Sequence, residues 1–192
     1  MVLFAHGSGS SRHSPRNRAV AAALQDAGMA TLLIDLLTAD EERIDSSTGH
    51  LRFDIGLLAR RLVAVLDWLE ARADTGALGT GLFGASTGGG AALVAAADRP
   101  RRVRAVVSRG GRPDLAGRAL ARVLAPTLLI VGGEDVPVLA MNREAMAQMT
   151  APVRLEIVPG ASHLFEEPGA LDRVSVLASE WFVRYLAAAE TS

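Results

Sequence analysis

Six short apolar runs, each followed by a longer stretch of helical character, constrain this chain more than any other feature. The runs are Val2–Ala5, Ala30–Leu36, Leu78–Phe83, Val103–Ser108, Thr127–Val131 and Val153–Val158. Most are largely apolar rather than alternating, as expected of strands covered on both faces. Helical segments are expected over Pro15–Ala27, Phe53–Arg72, Thr87–Asp98, Asp114–Val123, Val138–Met149 and Pro168–Ala188. In the second of these, Ile55, Leu58, Leu62, Val65 and Leu69 recur at core spacing, with Arg60, Arg61, Asp67 and Glu70 between them. Gly28 suits the position just past a helix end, and Pro168 the first turn of the last helix. The polar, acidic stretch Thr38–His50 reads as a loop. Strict alternation of this kind implies a mostly parallel sheet of about six strands with helices on both faces. The expectation is a three-layer α/β/α sandwich forming a single domain over residues 1–192, with no internal repeat or linker.

Composition removes several classes of chemistry. The sequence has no cysteine, so disulfides, thiolate metal sites and a cysteine nucleophile are excluded. All 20 basic residues are arginine. Without lysine there is no ordinary P-loop, Schiff base or Ser–Lys dyad. A net charge of −1 gives no electrostatic footprint for nucleic acid or a membrane surface. The apolar run Thr31–Leu37 is far shorter than a membrane span. Met1 leads directly into Val2-Leu3-Phe4-Ala5, with no basic segment before an apolar one, so a cytoplasmic protein is expected. No metal or cofactor is called for.

Gly84-Ala85-Ser86-Thr87-Gly88 carries the chemistry. It is a G-x-S-x-G motif lying between an expected strand and an expected helix, the context of a nucleophile elbow. In such an elbow the serine occupies a strained turn, its hydroxyl free above the sheet and the helix N-terminus aimed at the same point. An ordinary glycine-rich turn with Ser86 as helix cap is the alternative. Chain order separates the two. Asp135 follows the strand ending at Val131, and His163 follows the strand ending at Val158. Serine, acid, histidine is the order of an α/β-hydrolase triad, and open α/β sheets bind ligands at the carboxyl ends of their strands. Ser86 is therefore the expected nucleophile, His163 the base and Asp135 the acid. Glu134 is the alternative acid.

Ala5-His6-Gly7-Ser8-Gly9-Ser10 follows the first strand. The amide of Ser8, with that of Thr87, is expected to form an oxyanion hole, and Gly9 could serve in place of Ser8. His6 is expected to be structural. A dinucleotide fingerprint starting at Gly7 fails, because its third glycine position holds Arg12.

The blocks Leu3-Phe4-Ala5-His6-Gly7-Ser8-Gly9-Ser10, Gly84–Gly88, Leu129-Ile130-Val131-Gly132-Gly133-Glu134-Asp135 and Pro159-Gly160-Ala161-Ser162-His163-Leu164-Phe165 together resemble the dienelactone hydrolase branch of the α/β hydrolases. The resemblance runs along the whole chain. It implies a small esterase or lactonase without a cap domain, of a kind that sometimes occurs fused to a phosphoribosyltransferase-like domain. There are two departures. Dienelactone hydrolase typically has a cysteine nucleophile where this chain has Ser86. The family also usually has strands before the one ending near His6, whereas Met1 begins inside that strand. Without those strands, the segment Ala30–Leu36 becomes an apolar sheet edge. Either the natural start lies upstream, or that edge pairs with another copy of the chain.

Arginines near the expected mouth give the remaining clue. Arg12, His13, Arg16 and Arg18 follow the glycine-rich bend, and Arg109 and Arg112 follow the fourth strand. Arg109 and Arg12 are candidates for binding an anionic substrate, because a guanidinium fork matches a carboxylate. Solvated surface charge, or pairing with acids such as Asp114, is the alternative. The expected activity is serine hydrolysis of a small ester or lactone. Acyl transfer by the same triad and a non-catalytic binding domain of this fold are the alternatives.

Overall fold

The computed structural model describes residues 1–186. One parallel sheet contains β1 (Val2–Ala5), β2 (Thr31–Leu33), β3 (Thr80–Ala85), β4 (Val103–Arg109), β5 (Thr127–Gly132) and β6 (Val153–Val158). Their spatial order is β2-β1-β3-β4-β5-β6. The helices are α1 (Pro15–Asp26), α2 (Ala39–Thr48), α3 (Ile55–Glu70), α4 (Thr87–Asp98), α5 (Val136–Met146) and α6 (Ala170–Leu186). The expected three-layer α/β/α sandwich is thus present.

Alternation along β1 divides the core in two. Val2 and Phe4 pack with Val20 and Leu24 of α1 and with Leu177 and Phe182 of α6. Leu3 and Ala5 face the other way, onto Leu58 and Leu62 of α3 and Ala92 and Leu93 of α4. Full burial of each leucine or phenylalanine contributes about 1.5–3 kcal/mol relative to exposure. Because β1 pairs with β2 on one side and β3 on the other, successive crossovers leave in opposite directions. The carboxyl ends of β1 and β3 therefore form the topological switch point of the sheet, where an open α/β fold leaves a crevice.

Four local expectations need correction. The stretch Thr38–His50 is not a loop, because Ala39–Thr48 is helical. A reciprocal capping box between Thr38 and Glu41 starts this helix, acids occupy its first turn, and Gly49 ends it in the left-handed conformation. It buries one residue, Asp45, so it has no apolar stripe from which to read its period. Asp45 is held by Arg52 and by the amides of Leu51 and Arg52. The segment expected as an α-helix over Asp114–Val123 is instead a run of 3-10 turns, Pro113–Arg122, broken at Gly117 where φ is 50°. The strand expected over Ala30–Leu36 pairs only at Thr31–Leu33. It is a sheet edge, as expected, but a half-buried and short one, which limits the template it offers. Pro168 precedes the last helix, which begins at Ala170. The expected end of that helix at Ala188 lies outside the described residues. Among those residues no helix is long and apolar enough to cross a membrane.

Candidate active site

Ser86 sits between β3 and α4 at φ 51° and ψ −123°. A non-glycine residue there is strained and persists only where its surroundings over-determine it. Two glycines supply that constraint. A Cβ on Gly84 would lie 2.5 Å from Gly88 O, and a Cβ on Gly88 would lie 2.2 Å from Ala5 O. The turn can be this tight against β1 only because both side chains are hydrogen. The Ser86 side chain makes no capping bond to α4, so the helix-cap reading of this serine does not hold.

The acid and histidine loops are tied to each other. Gly133 N donates to Val158 O at 2.9 Å, and Glu134 N donates to Ala161 O at 3.0 Å. Asp135 emerges from this junction at the start of α5, without capping it. Its Oδ2 accepts from His163 Nδ1 at 2.6 Å. A carboxylate acceptor fixes the proton on Nδ1 and leaves Nε2 of the neutral ring as the basic nitrogen. The Asp135 carboxylate is largely sheltered, whereas Glu134 is exposed and makes no bond to the ring. Asp135, rather than Glu134, is therefore the histidine's partner. Ser86 and His163 line one cavity of about 240 Å³ at the switch point. Their side chains are not hydrogen-bonded among the described residues. Such bonds are often loose before substrate arrives.

The glycine-rich bend after β1 closes the cavity from the other side. His6 Nδ1 donates to Gly7 O at 2.9 Å, and His6 Nε2 accepts from Leu36 N at 3.0 Å. His6 thus ties the bend to the chain beyond β2, a structural position as expected. The Ser8 amide donates to Thr87 Oγ1 at 2.9 Å. The Thr87 amide opens α4 and has no partner among the described residues. One of the two expected oxyanion donors is therefore free, and the other is engaged by its neighbour's hydroxyl. Gly9 is exposed at φ 70° and does not line the cavity.

The two arginines singled out as anion binders part company. Arg12 is an exposed residue whose amide and guanidinium both bind Asp35. It lines a separate surface depression with His13 and Arg18. Its assignment to the substrate site is corrected: Asp35 satisfies it outside the cavity. Arg112 pairs with Asp114 through bonds of 2.8 and 2.7 Å. Arg109 ends β4, is 7% exposed and lines the cavity with Ser86 and His163. Burial, with the nearby charge of Arg16, pushes its guanidinium down to about 10, so it stays protonated at neutral pH. Its polar contact is Nη2 to Asn17 Oδ1 at 3.5 Å, and its Cζ lies 5.8 Å from the Phe165 ring centre. Arg16 also lines the cavity, and its Nη1 donates to Glu166 at 2.9 Å. Asn17 escapes sequence reasoning, since nothing around it in the chain shows that the first turn of α1 faces the site. Among the described residues, no group of three or more His, Cys, Asp or Glu side chains is arranged to hold a metal ion.

Known proteins resemble this chain in sequence and in structure. A family model described as "alpha/beta hydrolase fold" matches residues 1–129. The crystal structure of dienelactone hydrolase from Anabaena variabilis is 70% identical, superposes with a TM-score of 0.95, and is matched over 96% of this chain and 86% of that one. Est1E from Butyrivibrio proteoclasticus is 16% identical, with a TM-score of 0.79 over 97% of this chain and 88% of that one. Its likeness concerns the fold alone. A Mycobacterium tuberculosis (H37Rv) protein described as a "putative phosphoribosyl transferase" is 60% identical over 186 residues, 97% of this chain. The chain spans 41% of the length of that relative.

Proposed function

Since the chain belongs to the α/β-hydrolase fold family, in its dienelactone hydrolase-like branch, we propose that it is a serine hydrolase cleaving a small carboxylic ester or lactone. The observation that carries this reading is the short His163–Asp135 bond facing the same cavity as the strained Ser86. The name of the Anabaena relative supports ester-type chemistry.

The arrangement accounts for each step. Ser86 Oγ attacks the carbonyl carbon while His163 Nε2 takes its proton. Asp135 stabilises the imidazolium and keeps the ring in the productive tautomer. The developing oxyanion accepts from the free Thr87 amide and competes with Thr87 Oγ1 for the Ser8 amide. His163 returns the proton to the departing alkoxide, leaving Ser86 acylated. A water, deprotonated by His163, then attacks the acyl carbon and Ser86 leaves with its proton restored. A cavity of about 240 Å³ suits small substrates. The transferase description of the mycobacterial relative belongs to a chain more than twice as long and draws no support from this cavity.

A fluorophosphonate probe tests the reading. Labelling of the wild-type protein that disappears in Ser86→Ala supports it. Folded wild-type protein that resists labelling and turns over none of a panel of p-nitrophenyl esters and small lactones overturns it.

A further inference from the structure

We infer that Asn142 is a positioning residue: its amide, acting through Gly111, holds the loop of residues 110–112 that keeps Ser86 in its strained conformation and in place beside the His163–Asp135 pair. The inference rests on the serine hydrolase reading and names a side chain outside the cavity on which the rate depends.

The backbone of Ser86 is gripped on both sides by the stretch that follows β4. Ser86 N donates to Arg109 O at 3.2 Å, and Arg112 N donates to Ser86 O at 3.0 Å. A non-glycine residue at φ 51° keeps that conformation only while such contacts over-determine it. Between the two bonds lie Gly110 and Gly111, and glycine restricts a backbone least. The grip is therefore only as firm as the anchors of this pair. Gly110 N donates to Ile130 O of β5 at 2.7 Å. Gly111 O accepts from Asn142 Nδ2 at 3.0 Å, and among the described residues no other group donates to it. A stiffer residue at position 111 is forbidden by space, since a Cβ there would lie 1.8 Å from Ser108 Oγ. The anchor has to come from outside the loop.

Asn142 is fully buried on α5, the helix that Asp135 opens. Two helical turns separate these residues and put them on one face, about 10 Å apart along the axis. A second bond, from Nδ2 to Val138 O at 2.8 Å, fixes the side chain to its own helix. Both partners are carbonyl oxygens, so the nitrogen of the amide, not its oxygen, must face them. The Oδ1 is left buried without a donor among the described residues. An unmet buried acceptor costs stability, and an apolar side chain of similar shape would not carry that cost. What this amide supplies is geometry: one side chain joins the helix that presents the acid to the loop that fixes the nucleophile. Gly110 lies against the histidine loop as well, because a Cβ there would meet His163 O at 3.2 Å. Displacement of residues 110–112 shifts Ser86 relative to both His163 and the Thr87 amide.

The test is steady-state hydrolysis of p-nitrophenyl acetate by Asn142→Leu, which keeps the branched shape and removes the amide. The kcat is expected to fall about 10- to 100-fold with KM changed by less than about twofold, the pattern of a small misplacement of the reacting groups. Fluorophosphonate should label Ser86 more slowly by a similar factor. Leu69→Ala, a buried site at the far end of α3, controls for lost stability and should keep the wild-type kcat. The downfield NMR signal of the His163 Nδ1 proton should persist in Asn142→Leu, because its bond to Asp135 is untouched. Asn142→Ala removes the amide without adding bulk and carries the same expectation where the leucine variant does not fold. A wild-type kcat in the Asn142 variants, or an equal loss in Leu69→Ala, overturns the positioning role and leaves the hydrolase reading standing. Failure of both Asn142 variants to fold makes the residue one of stability and also overturns the role. Loss of the His163 signal overturns the route through Gly111, since the acid's helix has then moved. Wild-type protein inactive towards both ester and probe overturns the hydrolase reading, and this role with it.

Discussion

His163 reaches Asp135 through a 2.6 Å bond at Nδ1, while Asp135, at the start of α5, caps nothing. Position and chemistry diverge at this residue. An aspartate at a helix start ordinarily offers its oxygens to the helix amides, and this one turns to the neighbouring loop instead. That diversion is what the proposed role of Asp135, orienting the imidazole, requires. Asp135→Asn leaves the shape of the site intact but permits the wrong tautomer. It is expected to reduce kcat by about 10⁴-fold with unchanged circular dichroism. A loss below tenfold in steady-state assays would show that the carboxylate is not needed to orient the ring.

The elbow makes a prediction about folding rather than rate. In Gly88→Ala the added methyl meets Ala5 O at 2.2 Å, and backbone on both sides cannot give way. Destabilisation of at least about 3 kcal/mol is expected in urea denaturation. Gly9→Ala is the comparison, because Gly9 has positive φ but nothing within 4 Å of the methyl that alanine would add. It should cost about 1 kcal/mol from backbone strain alone. Similar losses in the two variants would contradict the steric account.

Thr87 holds the glycine-rich bend through its hydroxyl. Thr87→Val removes the acceptor of the Ser8 amide at nearly constant volume. The expected cost is about 1–3 kcal/mol, a fall in Tm of several degrees, with a lower kcat as the bend loosens. Thr87→Ser keeps the hydroxyl and should restore both quantities. A valine variant as stable and as fast as wild type would mean that the bond does not position the bend.

Arg109 should be a liability to stability at neutral pH. The fall of its guanidinium to about 10 corresponds to a cost on the order of 3 kcal/mol, partly offset by Phe165. Its folded value lies below its unfolded one, so this cost is fully present below pH 10 and fades as pH rises beyond it. Arg109→Met is therefore expected to leave Tm at neutral pH unchanged or raise it by a few degrees, measured by differential scanning calorimetry without added anions. A large drop in Tm would indicate that the charge is already compensated within the protein.

Architecture and chemistry are written locally. Largely apolar runs at β1, β3, β4 and β5 require strands covered on both faces, and their alternation with helices requires parallel crossovers. Gly84, Ser86 and Gly88 state the elbow, and Asp135 and His163 stand just beyond β5 and β6, where such a sheet presents its ligands. Even α2 carries a local signal in the Thr38–Glu41 capping box, although its lack of an apolar stripe makes it read as loop. Other features come from partners distant in the chain. Arg12 and Arg109 look alike in sequence; one meets Asp35 while the other, at the end of a central strand, meets no acid among the described residues. The engagement of Ser8 by Thr87 joins residues 79 positions apart. Periodicity and turn chemistry act over about ten residues and can be read along the chain. Whether a charge or an amide finds a partner depends on which segments the sheet brings side by side, and only the folded arrangement settles that.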